Sequence, residues 1–126
     1  MSSKDLQPSE LKVMNIIWDR HPIKASEIAA LLIPETGWSK NTIYTLITRA
    51  VNKGFVKRSN PGFICEPLVP REAIQTKENQ TLLSRLYAGS AKNLFARMMG
   101  DGSFSREDLA DIRKMLDEAE GDSDDS

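Results

Sequence analysis

The chain has 126 residues, a formal net charge of −1, one cysteine and one histidine, which leaves room for one ordinary domain or for a compact head with a smaller appendage. One cysteine rules out an internal disulfide and a thiolate metal cluster, no apolar run approaches the ~18–20 residues of a membrane span, and the polar start Met1-Ser-Ser-Lys-Asp5 lacks a signal-peptide core, so a soluble, cytoplasmic protein is expected. The charge is segregated: residues 1–70 hold nine Lys and Arg against six Asp and Glu, and residues 71–126 hold eight against twelve, a split that points to two jobs.

The first helix is expected to begin at Pro8, which tolerates an opening turn because it has no N–H to donate. Gln7 takes the capping position, Glu10 the third helical position, and Leu6 can pack on Leu11 across the entry turn. Leu11, Met14, Ile17 and Trp18 recur at helical spacing and mark a core-facing stripe, which Asp19-Arg-His-Pro22 ends. A second helix is expected from about Ala25 to Leu32, with Ile28, Leu31 and Leu32 buried against the first and Pro34 stopping it.

Ser39 is a good N-cap for a third helix in which Ile43, Leu46, Ile47, Ala50 and Val51 form a full apolar face. The opposite side is centred on Asn41, Thr45, Thr48 and Asn52, with Thr42 and Arg49 on one flank and Tyr44 on the other. Gly54 supplies the stop. Phe55-Val-Lys-Arg58 and Phe63-Ile-Cys-Glu66 then read as the strands of a hairpin around the turn formers Ser59-Asn-Pro-Gly62. Three helices followed by a two-stranded ribbon is the order of a winged helix-turn-helix. Beyond Pro70 the pattern is helical to Tyr87, again from about Ser90 to Met99, and again from about Ser105 to Glu120. The apolar residues of these helices, among them Leu82, Leu83, Leu86, Tyr87, Leu94, Phe95, Met98, Met99, Leu109, Ile112, Met115 and Leu116, are more than so short a segment can bury alone, which calls for a partner chain. Gly121-Asp-Ser-Asp-Asp-Ser126 is acidic, small and expected to be disordered.

The chemistry concentrates in the third helix and the hairpin. Between Glu35 and Glu66 stand five cations, Lys40, Arg49, Lys53, Lys57 and Arg58, and no acid, the footprint of contact with a polyanion. A helix with Thr, Asn, Tyr and Arg outward can enter a major groove, where amides and hydroxyls reach base edges and threonine methyls meet thymine methyls. Lys40 suits phosphate or guanine, and Lys57 and Arg58 can grip the neighbouring backbone. The plainer reading, a solvated face with solubilising charges, does not account for the segregation of charge together with the helix order. Catalysis has little to stand on. His21 lies in a Pro-terminated turn without a second histidine for a metal site, Cys65 reads as a small buried hydrophobe on a strand, and Trp18 and Trp38 read as packing residues.

Ser9-Glu-Leu-Lys-Val-Met-Asn-Ile-Ile-Trp-Asp19, Trp38-Ser-Lys-Asn-Thr-Ile-Tyr-Thr-Leu-Ile-Thr-Arg49 and Lys53-Gly-Phe55 resemble the penicillinase and methicillin-resistance repressors, the BlaI/MecI family, over about Leu6 to Glu120. The resemblance implies an N-terminal winged helix that binds DNA and C-terminal helices that interlock into a homodimer on a dyad operator. It places Thr42, Thr45 and Arg49 at recognition-helix contacts; Asn41 and Tyr44 stand where close relatives carry lysine and arginine, which alters base preference or phosphate contact. It also implies release by a membrane-bound sensor-protease that cuts in a C-terminal helix, the aligned pair here being Arg97-Met98. The metal-triggered release of copper-responsive relatives needs a cysteine-rich site that one cysteine in the wing cannot build.

The expected molecule is therefore mainly α with a small β wing: a winged helix-turn-helix DNA-binding domain over residues 1–69, a three-helix dimerisation region over 70–120 and an acidic tail over 121–126. It is expected to be a bacterial homodimeric repressor that binds an operator in double-stranded DNA, with no enzymatic activity, cofactor, metal or membrane insertion. Its expected DNA-binding residues are Lys40, Asn41, Thr42, Tyr44, Thr45, Thr48, Arg49, Lys57 and Arg58, and dimerisation is expected through Leu82, Leu83, Leu86, Tyr87, Leu94, Phe95, Met98, Leu109, Ile112 and Leu116. Two alternatives stay open: a winged helix used as a protein-interaction module, and a regulator with a small-molecule pocket lined by Phe95, Met98, Met99 and Phe104.

Overall fold

A computed structural model of the protein describes residues 5–124, with side chains to Gly121. The polar start over residues 1–4 and the last two residues of the expected tail lie outside the described residues. The elements run α1 (Pro8–Arg20), β1 (Ile23–Lys24), α2 (Ala25–Thr36), α3 (Lys40–Asn52), β2 (Val56–Ser59), β3 (Ile64–Pro67), α4 (Arg71–Leu86), α5 (Ala91–Gly100) and α6 (Arg106–Asp124). They form two compact units that meet within α4, between Lys77 and Glu78.

The first unit is built on one core. Val13, Met14 and Ile17 of α1, Ile28, Ala29 and Leu32 of α2, and Ile43, Leu46, Ile47 and Ala50 of α3 are buried together, closed by Ile23, Val56 and Cys65 from the sheet. Burial on this scale is what fixes three short helices that would be marginal alone. Leu31, expected inside, is 39% exposed; Ala25 and Ala29 take the buried positions, because they complete the i, i+3, i+4 set with Ile28 and Leu32.

Pro34 does not stop α2. The helix carries it inside its last turn and ends at Thr36, since a proline this near the end deprives one carbonyl of its donor and little more. The stop is Gly37, left-handed at φ 73°, whose N–H donates to Ile33 O at 2.9 Å, an arrangement that glycine adopts without a Cβ penalty. Thr36 Oγ1 then donates to Leu32 O at 2.7 Å and accepts from the Trp38 N–H at 3.1 Å. This short, fully bonded corner delivers the chain to Ser39 and aims α3.

The ribbon has a third strand. Residues Ile23 and Lys24, expected to lie in a loop, pair antiparallel with β3 in the register Ile23↔Cys65 and Lys24↔Ile64, so the sheet order is β1-β3-β2. A two-residue strand has no periodicity to betray it; it exists because β3 offers a free edge beside it. The hairpin strands β2 and β3 each start one residue later than Phe55 and Phe63, and they pair as Val56↔Pro67, Lys57↔Glu66, Arg58↔Cys65 and Ser59↔Ile64.

Within the second unit, Ser90 caps α5 by accepting from the Asn93 N–H at 3.1 Å. Ser105 and Asp108 exchange bonds at the start of α6, the Asp108 N–H donating to Ser105 Oγ at 3.0 Å and the Ser105 N–H to Asp108 Oδ2 at 3.1 Å, a reciprocal cap. The last helix runs on through Asp124, past the expected end at Glu120. The segment expected to be disordered is thus helical as far as it is described, because Gly121 weakens a helix by only about 1 kcal/mol and no proline breaks it.

Candidate nucleic-acid interface

The outward face of α3 is what its flanking caps leave in solvent. Ser39 Oγ accepts from the Thr42 N–H at 3.1 Å and donates to Thr42 Oγ1 at 3.0 Å, which satisfies a free helix-start amide and fixes the first turn. Asn41, Thr42, Thr45, Thr48 and Arg49 are all exposed. A shallow recess runs along this face, lined by Asn41, Tyr44, Thr45, Thr48 and Arg49. Thr45 Oγ1 donates its proton to Asn41 O at 2.9 Å. What Thr45 offers outward is therefore a methyl group and acceptor lone pairs, not a donor, and Asn41 remains the residue with both a donor and an acceptor to present.

The five cations of the acid-free stretch divide into two kinds. Lys40, Arg49, Lys57 and Arg58 are exposed and take part in no ion pair among the described residues. Lys53 turns inward: its Nζ lies 2.7 Å from Glu10 Oε1 and 3.0 Å from Asp5 O. Glu10 is wholly buried and also accepts from the Gln7 N–H at 2.8 Å. This cation neutralises a core carboxylate at the end of α3 and leaves the polyanion footprint, a use that charge counting along the sequence does not reveal.

The sheet returns a cation in exchange. Lys24, on β1, is exposed, and its Cε reaches the tip of the ribbon beside Gly62. Sequence reasoning missed it because the residue joins the wing only through the non-local pairing with β3. The wing thus carries Lys24, Lys57 and Arg58, with Glu66 directly across from Lys57.

Tyr44 is half-buried, unlike its neighbours on the outward side. Its ring meets the Phe63 ring edge-on, with centroids 5.8 Å apart at 87°, while the Arg58 guanidinium lies 3.6 Å from the Phe63 centroid and Lys40 Nζ 5.5 Å from that of Tyr44. Tyr44, expected among the DNA-binding residues, is in contact with the wing through Phe63.

Other sequence candidates fall elsewhere. His21 is exposed at the end of α1. Cys65 is wholly buried on β3, and burial pushes its thiol up to about 11 against a smaller opposing pull from Arg58. Trp18 packs on the core and donates its indole N–H to Val69 O at 2.9 Å. Among the described residues no group of three or more His, Cys, Asp or Glu side chains could hold a metal ion, and no helix is long and apolar enough to cross a membrane.

In the second unit, Leu83, Tyr87, Leu94, Met98, Leu109 and Ile112 are half-buried and Leu82, Leu86, Phe95 and Leu116 exposed. The Phe95 and Phe104 rings lie 5.5 Å apart. Arg97 and Met98 stand within α5, Arg97 exposed and 3.4 Å from Asp101.

The family model described as penicillinase repressor matches residues 6–118. The chain is 30% identical to the methicillin resistance regulatory protein MecI of Staphylococcus aureus (strain N315) over 114 residues, 89% of this chain and 93% of that one. It is likewise 30% identical to the penicillinase repressor of Staphylococcus aureus over 122 residues, 94% and 97% of the two chains. Among solved structures, the DNA-binding domain of the repressor BlaI superposes with a TM-score of 0.51 at 28% identity, over 56% of this chain and 90% of that one.

Proposed function

This chain belongs to the penicillinase repressor family, and we propose from that premise that it is a DNA-binding transcriptional repressor which occupies a two-fold symmetric operator as a homodimer, without catalytic activity, in the bacterial cytoplasm. The observation that carries the reading is the exposed face of α3, where Asn41, Thr42, Thr45, Thr48 and Arg49 stand outward on a buried apolar face and beside cations that no acid neutralises among the described residues. In this reading α3 lies in the major groove. Asn41 and Arg49 carry most of the base discrimination, since an amide and a guanidinium can each make two bonds to one base. Thr45 contributes its methyl, and Lys24, Lys40, Lys57 and Arg58 hold phosphates.

The second unit supports the homodimer. None of its described side chains is buried, and Leu82, Leu86, Phe95, Met99, Met115 and Leu116 are exposed, an apolar surface that a second copy would cover. Release is proposed at the Arg97-Met98 bond by a membrane-bound sensor-protease. That bond lies in an ordered helix, so cleavage requires α5 to open locally.

Fluorescence anisotropy with a labelled duplex from the gene's own upstream region, and with a scrambled duplex, over a salt series tests the function. The native duplex is expected to bind more tightly and with a steep salt slope. Arg49→Ala is expected to weaken native-duplex binding by about 1–3 kcal/mol while the dimer persists. Equal, weak, salt-insensitive binding to both duplexes would refute the repressor reading, and unchanged affinity of the Arg49 variant would remove that residue from the reader set.

A further inference from the structure

Four side chains from α3 and the hairpin form a continuous row of aromatic and cation–π contacts beside the exposed face of α3. Lys40 Nζ lies over the Tyr44 ring at 5.5 Å, Tyr44 meets Phe63 at 5.8 Å, and Arg58 sits on Phe63 at 3.6 Å. Lys40 and Tyr44 belong to α3, and Phe63 and Arg58 to the hairpin. Phe63 is also one of the positive-φ residues other than glycine, at φ 49°, directly after Gly62 at φ 97°. A bulky side chain adopts that left-handed region only where its surroundings hold it there. Here the backbone is bent at the residue whose ring fills the space between helix and wing.

A free arginine on an exposed hairpin strand samples many rotamers, and ordering it on DNA costs conformational entropy. Stacked on an aromatic face, its guanidinium is already placed. We propose that Tyr44 and Phe63 are positioning residues of the nucleic-acid interface: the ring pair ties the wing to α3 and holds Arg58 where it meets the DNA, so that helix and wing dock as one surface. The proposal rests on the DNA-binding function above and assigns Tyr44 a role through Phe63 and Arg58 in place of a base contact of its own.

A double-mutant cycle on the full chain tests it, read by anisotropy against the upstream-region duplex over a salt series. Arg58→Ala is expected to weaken binding about fivefold and to lower the salt slope by about one. Phe63→Leu keeps an apolar side chain without the ring and is expected to weaken binding by a similar factor. The double variant is expected to bind within about twofold of either single one, because the two residues act as a unit. Tyr44→Phe retains the ring and is expected to match the parent, whereas Tyr44→Leu should lose about the same fivefold.

If Arg58→Ala costs as much in the Phe63→Leu background as in the parent, the brace is overturned; the comparison holds within one background, so a lower stability of Phe63→Leu does not blur it. Should Phe63→Leu not fold, the same cycle is run between Tyr44→Leu and Arg58→Ala. Equal losses for Tyr44→Phe and Tyr44→Leu would show that the hydroxyl touches DNA and would also overturn the proposal. A parent protein without salt-dependent binding would instead refute the DNA-binding function itself, and the brace with it.

Discussion

Cys65 is wholly buried on β3, opposite Arg58 in the strand register. Removal of its thiol from water raises the pKa from 9.0 to about 11, with the Arg58 guanidinium pulling weakly the other way. A thiol held protonated this way is a poor nucleophile, which fits a packing role. The folded pKa lies above the unfolded one, so the native state keeps its proton longer. Its contribution to stability is complete below about pH 9 and is lost as pH rises towards 11. Denaturant unfolding at pH 8 and near pH 11 should show the wild type losing about 2–3 kcal/mol more than Cys65→Ala over that range. Parallel losses in the two proteins would mean that the thiolate is tolerated inside. The same scale holds the least expected contacts of the head, since Tyr44 within α3 and Lys53 at its C-terminal cap turn towards Phe63 and Glu10.

At the scale of elements, the pair Glu10–Lys53 ties the first turn of α1 to the end of α3. The carboxylate is wholly buried, and its Oε2 has no hydrogen-bond partner among the described residues, so its charge depends on the ammonium 2.7 Å away from Oε1. Removing one partner of such a pair strands the other in low dielectric. Lys53→Met is therefore expected to destabilise the protein by about 3 kcal/mol or more, and adding Glu10→Gln should recover a good part of that loss. Equilibrium denaturation of the two variants measures both, and a Lys53→Met protein of native stability would show that water already compensates Glu10. The junction of α4 is held in a comparable way: Arg71 lies 2.7 Å from Asp19 Oδ1, donates to Asn15 O at 3.2 Å and faces the Trp18 ring at 5.2 Å. Lys77 adds a contact with Asp5. The opening turns of α4 are thereby part of the head.

For the whole molecule, the contrast lies between a unit with a closed core and one without a single buried side chain among those described. Leu86 is 70% exposed and Leu116 57%, positions where an isolated chain gains little from leucine. If a second copy covers this face, Leu86→Glu with Leu116→Glu places carboxylates in an apolar interface and should yield a monomer in sedimentation equilibrium. The head would keep its fold, because its core is its own, and operator affinity should fall at least about tenfold as the gain from binding two half-sites together is lost. A dimer that survives both substitutions would place the interface elsewhere.

What the sequence alone determined is the order and kind of the main elements, the apolar face of α3, its Ser39 cap and the outward set Asn41, Thr42, Thr45, Thr48 and Arg49. These follow from helical period, capping chemistry and turn residues, which act within a few positions of one another. The exposed cations Lys40, Arg49, Lys57 and Arg58 were legible for the same reason. Only the tertiary structure decided that Lys53 neutralises a buried acid, that Lys24 joins the wing through a two-residue strand, that α2 runs through Pro34 to a stop at Gly37, and that the Tyr44 ring meets Phe63. Most of these depend on partners far away along the chain, and the helix end depends on burial around it, so the physical cause becomes visible only once the chain has brought those groups together.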